Sequence, residues 1–243
     1  MANTEYVNEN RLTSKAHAQR KRAFWIGLPI VVLICLIFSS VWQLCLFFTT
    51  AFLMIIVSNV GLISLAGAAG EDFTLKLLSS LPDSYTILNQ IYVPNSKSKT
   101  GYVELDFVVV GPNGVFVIEV KNNNSKIVGN ENDKDWIVRK VGRGGTPYTS
   151  SMRNPIKQLK SQIWSLGNFM KDQGQKAWIE GIVFLSNQDS EFEFNGDPSV
   201  PVLHKTGLTD YILDYRPRRF IENQDKIVQD LVEIQKRWSK QEG

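Results

Sequence analysis

Three charged side chains interrupt two apolar segments near the middle of the chain and are the strongest candidates for a reactive site. Asp106 precedes a valine-rich run, Glu119 and Lys121 end the next apolar run, and a Gly-Pro-Asn-Gly sequence separates the two. This punctuation predicts strand, turn and strand. A four-residue turn would place Val110 opposite Val115 and Asp106 opposite Glu119. Since alternate residues of a strand share a face, Lys121 should project on the same side as both carboxylates.

Two facing carboxylates repel each other unless a cation compensates them. Mg²⁺ binds oxygen ligands and often uses one or two carboxylates together with waters and phosphate oxygens. The spacing therefore predicts a Mg²⁺ site at Asp106 and Glu119, with Lys121 placed to hold a water or a phosphate. An ordinary ion pair between Glu104 and Lys121 on a solvated sheet face is the alternative. The valines around these charges make an unused cluster costly.

Cysteine and histidine usage excludes several reaction classes. Cys35 and Cys45 both lie in an apolar segment, so the rest of the chain has no disulfide framework and no thiolate zinc site. His17 and His204 form no cluster for zinc or for a Ser/His/Asp triad. No small-molecule cofactor is indicated.

Residues 24–69 contain no Asp, Glu, Lys or Arg. This segment is too long for one membrane span of about 20 residues and suits two, at about 24–42 and 44–66. The sequence thus predicts a basic tail (1–22), a transmembrane hairpin (23–69) and a folded domain (70–243, with a core at 70–185 and a helical extension at 186–243). A secretory signal peptide, the alternative, has a much shorter apolar region.

The basic cluster at 20–22 precedes the first predicted span and marks the cytoplasmic side of a membrane. Two spans return the chain to that side, whereas one span would place residues from 70 onward outside. We therefore expect a two-span protein of the inner or plasma membrane with a cytoplasmic N-terminus and a cytoplasmic folded domain.

The net charge of +3 does not by itself indicate a nucleic-acid partner. Residues 1–22 hold five basic and two acidic residues, which account for that excess. The remainder is neutral, so any contact with nucleic acid must come from local basic patches.

The remaining segments predict an α/β fold with a mixed central sheet flanked by helices. An Asn154-Pro155 pair should cap a helix, because Asn accepts amide hydrogen bonds and Pro suits the first turn. We expect helices at 71–81, from 155, at 208–213 and at 220–238, and strands at 85–93, 104–110, 115–121, 127–129, 136–141, 178–185 and 200–203.

An ordered set of motifs resembles the nuclease-related domain (NERD), a family of the PD-(D/E)-x-K superfamily with restriction-endonuclease-like folds. The set comprises Gly70-Glu71, Leu105-Asp106 before the valines, Gly-Pro-Asn-Gly-Val-Phe-Val-Ile-Glu119-Val-Lys121-Asn and Asn154-Pro155-Ile-Lys-Gln158. It covers about residues 70–185. Two departures are Leu105 in place of the hallmark proline and Glu104 as an extra carboxylate.

The resemblance implies a Mg²⁺-dependent nuclease, with Mn²⁺ as a possible substitute. Asp106 and Glu119 would hold the metal, Glu71 would complete its shell, Lys121 would orient the attacking water, and Gln158 would contact the phosphate. From the residues alone, Glu71 could instead favour the first turn of its helix, and Gln158 could be a surface amide.

Nucleic acid, DNA more than RNA, is the expected substrate, in DNA processing or defence. Local basic residues should hold it: Arg139, Lys140, Arg143, Arg153, Lys157 and Lys160. A catalytically silent, membrane-tethered nucleic-acid-binding or scaffold module is the main alternative. In a third interpretation the apolar hairpin is the functional part of a membrane complex.

Overall fold

The computed structural model describes residues 1–37, 42–59, 62–142, 144–204, 207–217 and 221–242. Its helices are α1 (Arg11–Ile37), α2 (Trp42–Asn59), α3 (Leu62–Leu78), α4 (Pro155–Asp172), α5 (Gly207–Asp214) and α6 (Gln224–Glu242). Its strands are β1 (Thr86–Pro94), β2 (Tyr102–Gly111), β3 (Gly114–Lys121), β4 (Lys126–Gly129), β5 (Asp135–Val141), β6 (Pro147–Arg153), β7 (Ile179–Leu185), β8 (Glu191–Phe194) and β9 (Val202–His204).

The chain divides into two compact units, residues 10–69 and residues 1–9 together with 70–243. In the first unit the helix boundaries differ from the predicted spans, because α1 begins in the charged tail at Arg11 and α2 ends at Asn59. Within the described ranges, no helix combines the length and the apolar character that crossing a bilayer requires. The predicted two-span hairpin is thus not supported.

The central sheet has five strands in the order β1-β2-β3-β7-β9. The first three strands pair antiparallel, whereas β7 and β9 add to β3 in parallel. α4 and α6 pack on one face, and α3 and α5 pack on the other. The predicted mixed sheet flanked by helices is confirmed.

Side chains of β2 and β3 alternate between two apolar cores, which explains why both strands read as nearly continuous apolar runs. The core under α4 and α6 takes Val108, Val110, Val115 and Val117. The core under α3 and α5 takes Phe107, Val109, Phe116 and Ile118.

The turn between β2 and β3 has the predicted register, with Val110 opposite Val115. The ladder ends at Phe107 and Ile118, one step before the predicted Asp106–Glu119 pair. Beyond that point Asp106 Oδ2, rather than a backbone carbonyl, accepts the amide of Val120 at 2.8 Å. The predicted opposition of Asp106 and Glu119 thus falls one step beyond the last pair of the ladder, where the regular pairing ends.

The alternation of side chains shifts by one residue at Asp106. Leu105 and Val108 pack in the same core although they lie three positions apart. Asp106 lies opposite Gln90, between two regular stretches of the β1–β2 ladder. Gln90 has a φ of 51°, the only positive value outside glycine within the described residues. The predicted common face assumed unbroken alternation, which fails here.

A second sheet of four strands has the order β6-β5-β4-β8. Its β4–β5 hairpin matches the prediction, but β6, which is polar, and β8, a Glu-Phe-Glu-Phe segment of four residues, were not predicted. Trp136 of β5 fills the inner face, packing on Phe192 and Phe194. The outer face is exposed to solvent and mixes charged side chains, such as Arg139, with the apolar Ile137 and Val141.

Candidate functional site

Glu119 and Lys121 form an ion pair at the end of β3. The Glu119 side chain is 1% exposed, and the Lys121 side chain is 22% exposed. Because both residues precede the loop that follows β3, they lie at the edge of the core, where an apolar strand meets solvent. Burial opposes the charge of Lys121, but Glu119 and then Asp106 outweigh it and raise the pKa of the lysine.

Two glutamines of α4 complete the hydrogen bonding of this pair. Gln162 Nε2 donates to Glu119 Oε2 at 2.6 Å and to the carbonyl of Glu104 at 2.9 Å. Lys121 Nζ donates to Gln158 Oε1 at 3.4 Å. Residues four apart lie on the same side of a helix, so α4 presents both amides to the end of β3.

Asn154 positions α4, as the sequence predicts. Its Oδ1 accepts the amides of Ile156 at 2.9 Å and Lys157 at 3.3 Å, which satisfies the first turn of the helix. Its Nδ2 donates to the carbonyls of the turn between β4 and β5, at residues 130, 131 and 133. The amide therefore fixes the helix start to that turn.

Asp106 is the second carboxylate of the site. Burial, followed by the charge of Glu119, raises its pKa well above the usual value for Asp, although Lys121 and the Val120 amide act in the opposite direction. The local charge balance thus disfavours two ionised carboxylates at this position and favours an added cation.

Glu71 reaches the site from α3. It accepts a hydrogen bond from Gln90 Nε2 at 2.8 Å. Burial is the main cause that raises its pKa to about 7, with contributions from the charges of Glu104, Asp72 and Glu119. Glu71 therefore belongs to the same electrostatic cluster as the carboxylates of β2 and β3.

Gly70 allows α3 to approach the ends of β3 and β7 closely. A Cβ atom at this position would lie 2.6 Å from Asn122 Cβ and 2.7 Å from Ser186 Oγ. Any larger residue would push α3 away from the strands. The Gly70-Glu71 pair thus combines a close packing contact with a carboxylate directed to the site.

The oxygen atoms of the site are the donors that a Mg²⁺ ion would need. Within the described ranges, no group of three or more His, Cys, Asp or Glu side chains forms a ready metal cage. Mg²⁺ usually needs only one or two carboxylates besides water and phosphate. Asp106 and Glu119 supply these oxygens, and the buried Gln162 Oε1 has no hydrogen-bond partner within the described residues. The chemistry of these oxygens suits Mg²⁺ or Mn²⁺, and the bound metal stays a prediction.

The predicted basic residues do not form one patch. Arg153 and Lys157 line a groove beside Gln158. Arg139 and Lys140 line a separate cavity on the second sheet. Arg143 lies outside the described residues.

Lys160 forms an ion pair with Glu131, which also accepts two hydrogen bonds from Ser199. The bond from Lys160 is the main cause that lowers the pKa of Glu131 to about 2. Lys160 is thus occupied in a surface contact.

Sequence reasoning missed Gln90 and Gln162. Neutral amides carry no charge signal, and both became visible only through their contacts with Glu71 and Glu119. The spacing of four residues after Gln158 was the one available indication for Gln162.

Comparison with known proteins gives a family and one relative. Residues 66–186 match the family described as Nuclease-related domain, NERD. An uncharacterized protein of Bacillus anthracis is 35% identical over 99 residues, which are 40% of this chain and 45% of the relative. The match therefore spans less than half the length of that protein. No solved structure matches the chain. The family match contains Glu71, Asp106, Glu119, Lys121 and Gln158, and it supports the similarity of this part of the chain to the nuclease-related domain family.

Proposed function

We propose that the chain is a metal-dependent nuclease that hydrolyses phosphodiester bonds in nucleic acid. The observation that carries this proposal is the charged cluster of Asp106, Glu119 and Lys121, together with Gln162, at the strand ends of a region that matches a nuclease-related family. DNA is the first substrate to test and RNA the second.

Asp106 and Glu119 would hold Mg²⁺ or Mn²⁺, with Glu71 beside them. When bound, the metal polarises a phosphate oxygen and makes a nearby water more acidic. Gln162 fixes one oxygen of Glu119 and so holds that carboxylate in one orientation.

Lys121 keeps its positive charge, because Glu119 and Asp106 raise its pKa. It therefore acts as a hydrogen-bond donor and not as a base. We assign it the orientation of the attacking water and the stabilisation of negative charge on the phosphate. A bond from the water oxygen to phosphorus forms and the ester P–O bond breaks; the attacking water releases its proton to bulk solvent, and the leaving oxygen takes one up from solvent.

The test is cleavage of DNA and RNA by the full chain in non-ionic detergent, with Mg²⁺, Mn²⁺ or EDTA. Asp106→Asn and Lys121→Met should each lower the cleavage rate by about 100-fold or more. Glu191→Gln, which changes an exposed carboxylate on the second sheet, should leave the rate unchanged. If Asp106→Asn and Lys121→Met cleave as fast as the parent chain, the proposed mechanism is wrong.

A binding or scaffold role is the second candidate, and two contacts of Glu119 favour it. Both carboxylate oxygens of Glu119 already have partners, Lys121 and Gln162, as in a structural cluster. This alternative predicts nucleic-acid binding with no cleavage under any metal, whereas the nuclease proposal predicts both.

We also propose that residues 10–69 associate with a lipid bilayer and that the rest of the chain is cytoplasmic. The support is a large exposed apolar surface within this unit, including Trp25, Ile26, Phe48, Phe52 and Met54. Retention in the membrane fraction after an alkaline wash, with activity of a cytoplasm-dependent reporter fused after Gly243, would agree with this. Release into the supernatant would overturn the membrane association.

A further inference from the structure

A groove beside the candidate site leads away from Gln158. It encloses about 500 Å³ and is lined by, among others, Asn95, Lys97, Lys134, Arg153, Lys157 and Gln158. This volume lies within the usual range for ligand pockets, about 300–1,000 Å³. Gln158 lines the groove and also accepts a hydrogen bond from Lys121, so the groove lies next to the proposed reaction centre.

The groove is strongly positive. Lys97, Lys134 and Arg153 take part in no ion pair within the described part of the chain. Asp135 is the single carboxylate in the lining. A polyanion is thus the ligand that this surface would attract most strongly.

An exposed aromatic ring lies next to this groove. Trp164 of α4 is 44% exposed. Lys97 Nζ lies 4.3 Å from the centroid of its indole ring, which is a cation–π contact. Lys97 itself lines the groove, so the ring and the basic lining are joined by one side chain.

The lysine contact is readily exchanged. A lysine ammonium is a point charge on a flexible stem, and its cation–π contact at an exposed site is worth only about 0.5–1 kcal/mol. A base that stacks on the indole can replace the ammonium. The ammonium then remains within reach of the phosphate that carries that base.

We propose that this groove holds the backbone of a single-stranded nucleic acid and that Trp164 stacks on an unpaired base, while Lys97 moves from the indole to a phosphate. This proposal rests on the nuclease function and names the form of its substrate. In a duplex the faces of the bases are covered by their neighbours, so the indole can contact them only in a single strand or a frayed end.

The experiment measures binding and not cleavage. The full chain in non-ionic detergent with EDTA is titrated into a fluorescein-labelled oligothymidylate of about 12 nucleotides, within the usual site sizes for single strands. A duplex of the same length is the comparison, and fluorescence anisotropy is the readout.

Trp164→Ala should weaken single-strand binding by roughly 5- to 150-fold, the effect of losing one stacked base. Trp164→Phe, which keeps a stacking surface, should restore most of the affinity. Lys97→Ala should reduce the slope of log K against log salt by about one. Tyr148→Ala, which removes an exposed ring from the separate cavity on the second sheet, is the matched control and should leave binding unchanged.

Several results would overturn the proposal: no oligonucleotide binding by the parent chain, Trp164→Ala binding within twofold of it, or equal losses for single strand and duplex. The chain could bind the oligonucleotides as expected and yet cleave none of them. This result would reject the nuclease function and support single-strand binding in the groove. Cleavage with normal Trp164→Ala binding would reject the groove alone. Thermal melting of each variant checks that the fold is intact.

Discussion

Two carboxylates on neighbouring strands show how differently the same group is used at the two ends of the central sheet. Glu180 of β7 accepts hydrogen bonds from Tyr211 at 2.9 Å, Tyr215 at 2.8 Å and Trp178 at 3.3 Å. All three donors are neutral. Glu119, on the adjacent strand, instead meets a lysine and lies beside other carboxylates.

Neutral hydrogen-bond donors satisfy a carboxylate, so the site does not favour an additional cation. The Glu180 end is closed further by Asn113, which accepts from Tyr85 and donates to the carbonyls of Ile212 and Tyr215. This network attaches α5 and the segment after it to the sheet. At the other end, Asp106 and Glu71 have raised pKa values, mainly because burial disfavours their ionised forms and in addition because neighbouring carboxylates repel them. Coupled charges of this kind are typical of functional sites.

The largest expected effect is a difference in cleavage rate between variants at the two ends of the central sheet. Lys121→Met should lower the cleavage rate by about 10²–10⁴-fold, because the phosphate loses its charged donor. Glu180→Gln should change the rate by less than twofold. Single-turnover cleavage of a labelled oligonucleotide measures both. Equal losses in the two variants would mean that the comparison reflects stability and not chemistry.

Gly70→Ala should disturb the site around Glu119 because it introduces a steric clash under α3. The new methyl group would meet Asn122 and Ser186, so α3 must shift and carry Glu71 with it. We expect a loss of about 1–3 kcal/mol in the free energy of unfolding and a reduced cleavage rate. Gly167→Ala on α4 is the control, since its Cβ would have no neighbour closer than 3.8 Å, and it should be neutral or stabilising. Denaturant melts of both variants decide between these outcomes.

Glu180→Gln tests the structural end directly. The amide keeps one acceptor but turns an NH₂ group towards a tyrosine hydroxyl, which should cost about 1–3 kcal/mol. Burial, followed by the hydrogen bond and the charge of Glu180, raises the pKa of Tyr211, so the substitution should also lower that pKa. Ultraviolet titration at alkaline pH measures the shift, and an unchanged tyrosine titration would contradict the assigned contact.

The smallest expected effect is a pH dependence of stability from Glu71. Its folded pKa is about 7, above its ordinary value of 4.5, so the folded chain binds the proton more tightly than the unfolded chain. This contribution is complete below about pH 4.5 and is lost as the pH rises through 7. Glu71→Gln should therefore show a smaller fall in melting temperature between pH 5 and pH 8. A slope equal to that of the parent chain would contradict the raised pKa.

The regular elements around the candidate site could be predicted from the sequence. Apolar runs around Gly-Pro-Asn-Gly predicted the β2–β3 register, and Asn154-Pro155 predicted the start of α4. The irregular pairing at Asp106 could not be predicted. The face shift at Asp106 depends on Gln90, which is distant in sequence and adopts a backbone conformation that its residue type does not favour.

Two strands of the second sheet also were not predicted from the sequence. β6 has few apolar residues, so periodicity gave no signal there, whereas β8 alternates Glu and Phe but over only four residues. The second sheet forms through pairing and through the aromatic cluster around Trp136. The roles of Asp106, Glu119, Lys121, Glu71 and Gln158 stay predictions. The structure adds their contacts, and these contacts define the variants that test them.

Asn154 couples the two sheets mechanically. One amide group holds both the first turn of α4 and the loop between β4 and β5. A displacement of that loop, by a polymer or a partner bound to the second sheet, would therefore act on the first turn of α4. The same helix carries Gln158 and Gln162, which contact Lys121 and Glu119. Asn154 thus links the positions of these two amides to the second sheet.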